Sequence, residues 1–229
     1  NLPDASALQD YETPLPTVVR GDDGEIVGSY ARDRRVQLNF VDFPKPLINA
    51  FLSAEDETFW SHNGVDITGT LNAVIDYARK AGTDERAVGG STITQQVAKN
   101  FLLSSDQTYE RKVKEAILSF RIEQAYSKDT ILELYLNEIY LGYGSYGVAA
   151  AAMNYFDKSL HELSNGEMAY LAALPKAPNN YHPVRNPKAA RARRNWVINR
   201  MYEEGFVNGE TARRARAERL RVVPNSGAA

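Results

Sequence analysis

Apolar residues recur every three or four positions along most of this chain, beginning after Pro44 and Pro46. That spacing is typical of one face of an α-helix, and short segments rich in glycine, proline and asparagine separate the periodic stretches. The pattern predicts helices over the ranges 46–59, 68–81, 91–103, 108–126, 129–141, 145–154, 159–173, 187–204 and 209–219. We therefore expect a mainly α fold.

The residues before the first helix follow a different pattern. Residues 1–16 contain prolines at positions 3, 14 and 16 and indicate an irregular lead-in. The segments 17–20 and 25–30 flank an Asp-Asp-Gly turn, which predicts a short N-terminal β-hairpin. The expected organisation is a lead-in and hairpin over 1–44, a helical domain over 45–221, and a truncated linker over 222–229.

Composition narrows the function classes. The chain has 229 residues, 43% of them hydrophobic, and its 27 basic and 29 acidic residues leave a net charge of -2, so nothing in the global charge indicates a nucleic-acid partner. The absence of cysteine excludes disulfides, thiolate catalysis and cysteine metal sites. No run of about 18 apolar residues and no charged-then-apolar leader is present, so we do not expect an intact membrane-anchored precursor, and an excised, soluble part of one stays open.

A carboxylate interrupts the apolar stripe of the first predicted helix. The stripe runs through Phe51 and Leu52, reaches Glu55, and resumes at Phe59. A partly desolvated glutamate beside Asp56 suits a general base or acid working near neutrality. The alternative is a glutamate at the edge of the stripe that reaches solvent or bonds to a helix N-terminus.

Three further segments carry candidate chemistry, each with a structural alternative. Residues 89–96 predict the start of a helix, with Ser91 or Thr92 as N-cap and Gln95 closing a capping box. The backbone N–H groups at such a start suit an anion, and the alternative is an ordinary capped helix that binds no ligand. In the helix over 108–126, the predicted core stripe consists of Val113, Ala116, Ile117, Phe120 and Gln124. Lys112, Glu115 and Ser119 are then expected to point outward, where a solvated ion pair is the alternative to a site.

The helix over 129–141 is expected to pack through Leu132, Tyr135, Leu136 and Ile139. Glu133, Asn137 and Tyr140 then share a polar face that is open either to a sugar or simply to solvent. The three histidines lack ligand spacing, which argues against a histidine metal site, and His62 is interpreted as a structural hydrogen-bonding residue.

In this order, the segments resemble the five motifs of the peptidoglycan glycosyltransferase family, found in class A penicillin-binding proteins and monofunctional transglycosylases. The motifs stand here as E-D-E-T-F-W-S-H-N-G from Glu55, G-S-T-I-T-Q-Q from Gly90 with Lys99-Asn100, R-K-V-K-E from Arg111, K-D-T-I-L-E-L-Y-L-N from Lys128, and R-R-N-W-V-I from Arg193. Five motifs in sequence make coincidence very improbable. The chain departs from the family at Asn72 and Gln107, where many members carry a basic residue.

The resemblance implies a lysozyme-like, two-lobed helical domain with a smaller membrane-facing lobe at about 66–88. It implies Glu55 and Glu115 as catalytic residues, with Glu115 also a tentative ligand of a divalent cation, Mg²⁺ or Mn²⁺. The substrate-binding residues it implies are Asp56, Phe59, Ser91, Thr92, Gln95, Gln96, Lys99, Asn100, Arg111, Lys112, Glu133 and Asn137.

The function implied is polymerisation of lipid II into β-1,4-linked glycan strands, with release of undecaprenyl diphosphate. The implied partners are lipid II, the lipid-linked glycan strand, the membrane surface and a missing transpeptidase domain, at the outer face of the bacterial cytoplasmic membrane. Two alternatives stay open on the residues alone. One is a lysozyme-like hydrolase or lytic transglycosylase with Glu55 as general acid, and the other is a noncatalytic glycan-binding module.

Overall fold

The computed structural model describes residues 2–8, 17–20, 26–30, 37–80, 90–103 and 108–223. Its α-helices lie close to the predicted ranges. They are α1 (Lys45–Glu55), α2 (Ile67–Lys80), α3 (Ile93–Leu102), α4 (Tyr109–Ala125), α5 (Lys128–Glu138), α6 (Val148–Phe156), α7 (Asn165–Ala173), α8 (Pro187–Glu203) and α9 (Gly209–Ala217). The mainly α fold class is confirmed.

The predicted hairpin is present. Strand β1 (Thr17–Arg20) pairs antiparallel with β2 (Ile26–Tyr30), with Thr17 opposite Tyr30 and an irregularity in register between Val19 and Arg20. The turn between the strands lies outside the described residues. Position 107 and residues 81–88 of the predicted small lobe also lie outside them, so that lobe boundary stays a prediction.

Several helix boundaries differ from the sequence prediction by three residues or more. Helix α1 ends at Glu55, four residues early, and the side chain of the next residue, Asp56, is bonded to the start of α3. The predicted helix over 159–173 is a 3-10 turn at Leu160–Glu162 followed by α7, since Ser164 and Glu167 form a capping box that starts a new helix. The lead-in contains a 3-10 helix at Ala5–Leu8 whose two end residues are buried.

The predicted orientation of α4 is wrong. Its buried residues are Arg111, Glu115, Leu118, Ser119 and Ile122. The apolar residues assigned to the core, Val113, Ile117 and Phe120, are instead 44%, 39% and 43% exposed. The physical reason is that the buried face of α4 combines the apolar Leu118 and Ile122 with Glu115 and Ser119, and both of these polar side chains have hydrogen-bond partners.

The chain divides into two compact units. The first contains Asn1–Asp10 and Phe51–Tyr135, and the second contains Tyr11–Ala50 and Leu136–Ala229. In the first unit α3 packs on α4, and both contact the 3-10 helix at Ala5–Leu8. The Tyr126 hydroxyl donates to the Ala5 carbonyl at 3.0 Å, which ties that N-terminal turn to the end of α4.

The second unit is built around α7. Residues 168–173 of α7 are buried on every side, and α6, α8 and α9 pack against this helix. The fifth motif has a structural role here. The guanidinium of Arg194, 1% exposed, donates to the carbonyls of Arg216 and Glu218 and so satisfies the C-terminal end of α9.

The packing stripe predicted for α5 is confirmed, because Leu132, Tyr135, Leu136 and Ile139 are all buried. None of the helices in the described part of the chain combines the length and apolar character needed to span a bilayer.

Candidate active site

Glu55 is the last residue of α1 and is half-buried. Its Oε2 accepts a hydrogen bond from Gln96 Nε2 of α3 at 3.2 Å. Gln96 Oε1 in turn accepts from the Tyr135 hydroxyl of α5 at 3.3 Å. Three of the five sequence motifs therefore meet in one hydrogen-bonded chain that ends on the predicted catalytic carboxylate.

Asp56 follows directly and is buried. Its Oδ2 accepts from the backbone N–H of Ile93 at 3.0 Å and contacts His62 Nε2 at 2.7 Å. The anion at the start of α3 is thus supplied by the protein itself, at a position where backbone N–H groups and the helix dipole favour negative charge. This contact fixes the end of α1 against the start of α3, and with it the position of Glu55.

The capping interpretation of residues 89–96 is confirmed with Thr92 as N-cap. Thr92 Oγ1 accepts from the Gln95 backbone N–H at 3.1 Å, and Gln95 Oε1 accepts from the Thr92 N–H at 2.8 Å. Thr92 Oγ1 also donates to the Gly64 carbonyl at 2.6 Å. These contacts give both side chains a structural role, and their assignment to substrate binding stays a prediction.

Gly64, the last residue of the first motif, lies against α4. Its φ is +113°, and a Cβ built there would stand 2.7 Å from the Ser119 carbonyl carbon. Only glycine fits both the backbone conformation and this close approach. The loop of the first motif is therefore held against the third motif's helix.

Glu115 is fully buried, whereas Lys112 is 60% exposed at its side chain. Glu115 Oε1 accepts from Lys112 Nζ at 3.1 Å and from Ser91 Oγ at 3.2 Å. Glu115 Oε2 is buried with no hydrogen-bond partner among the described residues. The outward direction predicted for Glu115 is wrong, but its predicted pairing with Lys112 is confirmed, and the pair leaves the ammonium open to solvent.

The other predicted cations differ in exposure. Lys99 and the adjacent Asn100 are exposed near the end of α3, whereas Arg111 is 7% exposed at the start of α4. The Arg111 backbone N–H donates to Thr108 Oγ1, the N-cap of that helix. Lys99 and Lys112 are therefore the cationic side chains of this set that solvent reaches.

Three predicted residues remain, Phe59, Glu133 and Asn137. Phe59 is fully buried, with the Lys128 ammonium 4.7 Å from its ring centroid, and Glu133 is half-buried on α5. Asn137 belongs to the second unit, where it accepts from the Leu38 N–H and donates to the Leu38 carbonyl. Asn137 is buried rather than on an open polar face, and its contact with substrate stays a prediction, as does that of Phe59.

A buried polar network supports the site, and one of its members, Glu123, was not among the predicted residues. The Gly64 N–H donates to His62 Nδ1 at 3.0 Å, which leaves the ring proton on Nε2 to donate to Asp56. Lys128 Nζ donates to the His62 carbonyl and to Glu123 Oε1, both at 2.6 Å. The structural role predicted for His62 is confirmed, whereas Glu123 gave no signal because a lone helix glutamate resembles a solvated one.

The order of the motifs agrees with a family model that covers most of the chain. The model of the family described as Transglycosylase matches residues 23–202. Fold and family together define a glycosyltransferase enzyme. The chain belongs to the transglycosylase family, and the resemblance seen in its five motifs is confirmed.

Two similar proteins carry the name penicillin-binding protein 1A. The chain is 46% identical to penicillin-binding protein 1A of Rickettsia felis over 94% of its length, and 46% identical to that of Neisseria flavescens over 96%. It spans 27% of the length of each. The crystal structure of penicillin-binding protein 1A from Haemophilus influenzae matches 96% of this chain and 23% of its own, with a TM-score of 0.55 at 30% identity.

Proposed function

We propose that this chain is a peptidoglycan glycosyltransferase that polymerises lipid II into β-1,4-linked glycan strands and releases undecaprenyl diphosphate. The observation that carries the proposal is the Glu55 carboxylate, half-buried and held by the Gln96 amide, in a member of the transglycosylase family. The whole protein is proposed to act at the outer face of the bacterial cytoplasmic membrane and to carry a transpeptidase domain as well.

The reaction is a single displacement with inversion. The 4-hydroxyl oxygen of the incoming lipid-linked disaccharide attacks the anomeric carbon of the growing strand, and the bond from that carbon to the diphosphate oxygen breaks. Glu55 accepts the hydroxyl proton as general base and must start deprotonated. The Gln96 N–H supports this role, because a hydrogen bond donated to a carboxylate stabilises its ionised form.

The leaving diphosphate carries negative charge that positioned cations stabilise. Lys112 is suited to this task, because its ammonium is anchored by the buried Glu115 carboxylate yet remains mostly exposed. Lys99 and Arg111 are proposed to assist, and Glu115 to orient Lys112. The Ser91 hydroxyl donates to the same Glu115 oxygen as Lys112 and so helps to hold that carboxylate in place.

A divalent cation is proposed only as an ion shared with the substrate. No group of three or more histidine, cysteine, aspartate or glutamate residues suited to a metal occurs in the part of the chain that the structure describes. The buried Glu115 Oε2, without a hydrogen-bond partner there, fits a single carboxylate ligand. Mg²⁺ is commonly bound by one or two carboxylates together with substrate phosphates, and there it would neutralise charge on the diphosphate.

Association with the membrane surface is supported by exposed apolar side chains of the first unit. On α2, Ile67, Leu71 and Ile75 are 73%, 58% and 39% exposed. The apolar stripe of α4 is exposed as well. Large apolar side chains clustered on exposed helix faces are characteristic of surfaces that contact lipid or protein.

The substrate test is incubation of the chain with lipid-linked disaccharide pentapeptide in detergent, with and without magnesium, followed by sizing of the products. Elongated glycan supports the polymerase. Shortening of preformed glycan without extension supports the hydrolase alternative, in which Glu55 starts protonated.

The phosphate site is tested with Lys112→Ala. We expect at least a tenfold loss of affinity for the lipid diphosphate in protein that is still folded at the assay temperature. Because Lys112 is one of the side chains that donate to the fully buried Glu115 carboxylate, the variant should also lose about 1–3 kcal/mol of unfolding free energy. The matched control is Lys114→Ala, because Lys114 lies on the same helix and is paired with Glu110. Unchanged affinity in Lys112→Ala would remove this lysine from the phosphate site.

A further inference from the structure

Tyr135 is a core residue whose hydroxyl has a polar function. The side chain is 1% exposed, and its ring packs edge-on against Phe51 at 6.1 Å between centroids. Its hydroxyl nevertheless reaches Gln96 Oε1 at 3.3 Å, and Gln96 Nε2 reaches Glu55 Oε2 at 3.2 Å. The hydroxyl of a packed residue on α5 is thus connected through one amide to the proposed base on α1.

The amide between them has two orientations with opposite consequences. A glutamine carboxamide presents a donor on one side and an acceptor on the other. With Nε2 toward Glu55 it donates to the carboxylate, whereas the flipped amide would put an oxygen against it and repel its charge. Some neighbouring group must therefore select one orientation.

The Tyr135 hydroxyl is a suitable selector because it stays a donor. Burial raises the pKa of Tyr135 well above its ordinary value, and the negative charges of Glu55 and Asp56 raise it further. The Asp56 carboxylate is itself occupied by Ile93 and His62. A protonated hydroxyl donating to Gln96 Oε1 leaves Nε2 to face Glu55.

We propose that Tyr135 is a positioning residue for Glu55: its hydroxyl fixes the Gln96 carboxamide so that an N–H, and not an oxygen, faces the carboxylate. The inference rests on the proposed role of Glu55 as general base. In this arrangement Tyr135 touches neither sugar nor phosphate, and it acts only through the amide.

The test is Tyr135→Phe, which keeps the ring and removes the hydroxyl. Freed from its donor, the amide spends part of its time flipped, and the ionised form of Glu55 loses stabilisation. The acidic limb of the kcat/KM–pH profile for glycan polymerisation should move upward by about 0.5–1 pH unit, which lowers the rate about three- to tenfold below the limb. The rate on the plateau should change much less.

A second readout does not need turnover. In protein labelled with ¹³C at glutamate carboxyl carbons, the Glu55 resonance is assigned by its loss in Glu55→Gln. Its titration midpoint should move upward in Tyr135→Phe by the same amount as the acidic limb. Gln96→Leu, which removes the amide, should reproduce the direction of both shifts.

The matched control is Tyr155→Phe. Tyr155 is also 1% exposed, and its hydroxyl donates to the Leu141 carbonyl at 2.7 Å in the second unit. This variant loses a buried tyrosine hydrogen bond without touching Gln96, so its acidic limb and Glu55 midpoint should match those of the parent.

The outcomes separate the two proposals. If the parent polymerises but neither Tyr135→Phe nor Gln96→Leu moves the midpoint, Tyr135 is a packing residue only and the inference fails alone. If the midpoint moves and the parent makes no glycan, the positioning contact stands and the proposed function fails. A shift of equal size in Tyr155→Phe would also overturn the inference, because it would show a general loss of packing.

Discussion

Replacing Asp56 by alanine should destabilise the first unit more than any nearby surface change. Asp56 Oδ2 bonds to His62 Nε2 at 2.7 Å and to the Ile93 N–H at 3.0 Å. The side chains of His62 and Asp56 are only 5% and 2% exposed. The substitution leaves both donors buried without their acceptor, and the start of α3 loses its compensating charge.

The expected cost follows from these contacts. Leaving a buried donor without its acceptor costs about 1–3 kcal/mol, so the loss of both contacts should cost about 2–6 kcal/mol. For a domain of this size each kcal/mol lowers the Tm by roughly 2–4 °C, so Asp56→Ala should lower it by roughly 4–24 °C. Asp56→Asn should fall between parent and alanine, since an amide oxygen keeps an acceptor while the amide N–H₂ opposes a donor.

Thermal unfolding followed by circular dichroism at neutral pH measures the effect. The control is Glu57→Ala, because Glu57 is the adjacent carboxylate and is exposed, so its loss should change the Tm by only about 2 °C or less. A Tm of Asp56→Ala within that same range would refute the reasoning that Asp56 joins α1 to α3.

Two further predictions concern the packing of the fold. Gly64→Ala should lower the free energy of unfolding by more than about 2 kcal/mol in chemical denaturation, because φ is +113° and the new methyl would stand 2.7 Å from the Ser119 carbonyl carbon. The control Gly144→Ala, with φ +61° and no atom within 4 Å, should lower it by only about 1 kcal/mol. Equal losses in the two variants would contradict the close approach of Gly64 to α4. Burial raises the pKa of Tyr135, Tyr155 and Tyr170 from the ordinary value of 10.0, so the stability they contribute is complete below pH 10 and decreases as the pH rises above it. Urea unfolding between pH 9 and 11 should show this decrease in the free energy of unfolding. In Tyr155→Phe the decrease should be shallower by up to about 1.4 kcal/mol per pH unit. An unchanged slope in that variant would contradict a raised pKa of Tyr155.

The helices could be predicted from sequence because each has its own period and its own end signals. The start of α3 was predicted with Ser91 or Thr92 as N-cap, and the structure has Thr92, with Gln95 closing the capping box. The packing stripe of α5 was predicted from its spacing. The start of α7 was missed although the residues of its capping box, Ser164 and Glu167, are close in sequence. The contact of the Asp56 side chain with Ile93 could not be predicted, because nothing local in the chain indicates a partner 37 residues away.

The orientation of α4 could not be predicted for a different reason. Periodicity identifies the apolar face of a helix but not what covers it. Val113, Ile117 and Phe120 form a regular stripe and are nevertheless exposed, whereas the buried face of α4 combines Leu118 and Ile122 with the polar Glu115 and Ser119. A buried glutamate is stable there only because Lys112 and Ser91 donate to it, and that arrangement requires tertiary structure.

The candidate site was predicted as a set of residues rather than as a set of contacts. Motif order named Glu55, Gln96, Lys112 and Glu115, and the structure joins them in two small hydrogen-bonded groups. Tyr135 was assigned to the core on its spacing, and that assignment is correct for its ring. Its hydroxyl was missed because periodicity describes faces and not atoms.

The most direct test of the account replaces Glu55 by glutamine and measures glycan polymerisation from lipid-linked disaccharide pentapeptide by product sizing. Glu210→Gln serves as the control, since Glu210 is an exposed carboxylate paired with Arg214 on α9. We expect long glycan from the parent and from Glu210→Gln, and none from Glu55→Gln, with the thermal unfolding of all three alike. Glycan of parental length and rate from folded Glu55→Gln would contradict the account, because the reaction would then proceed without the proposed base.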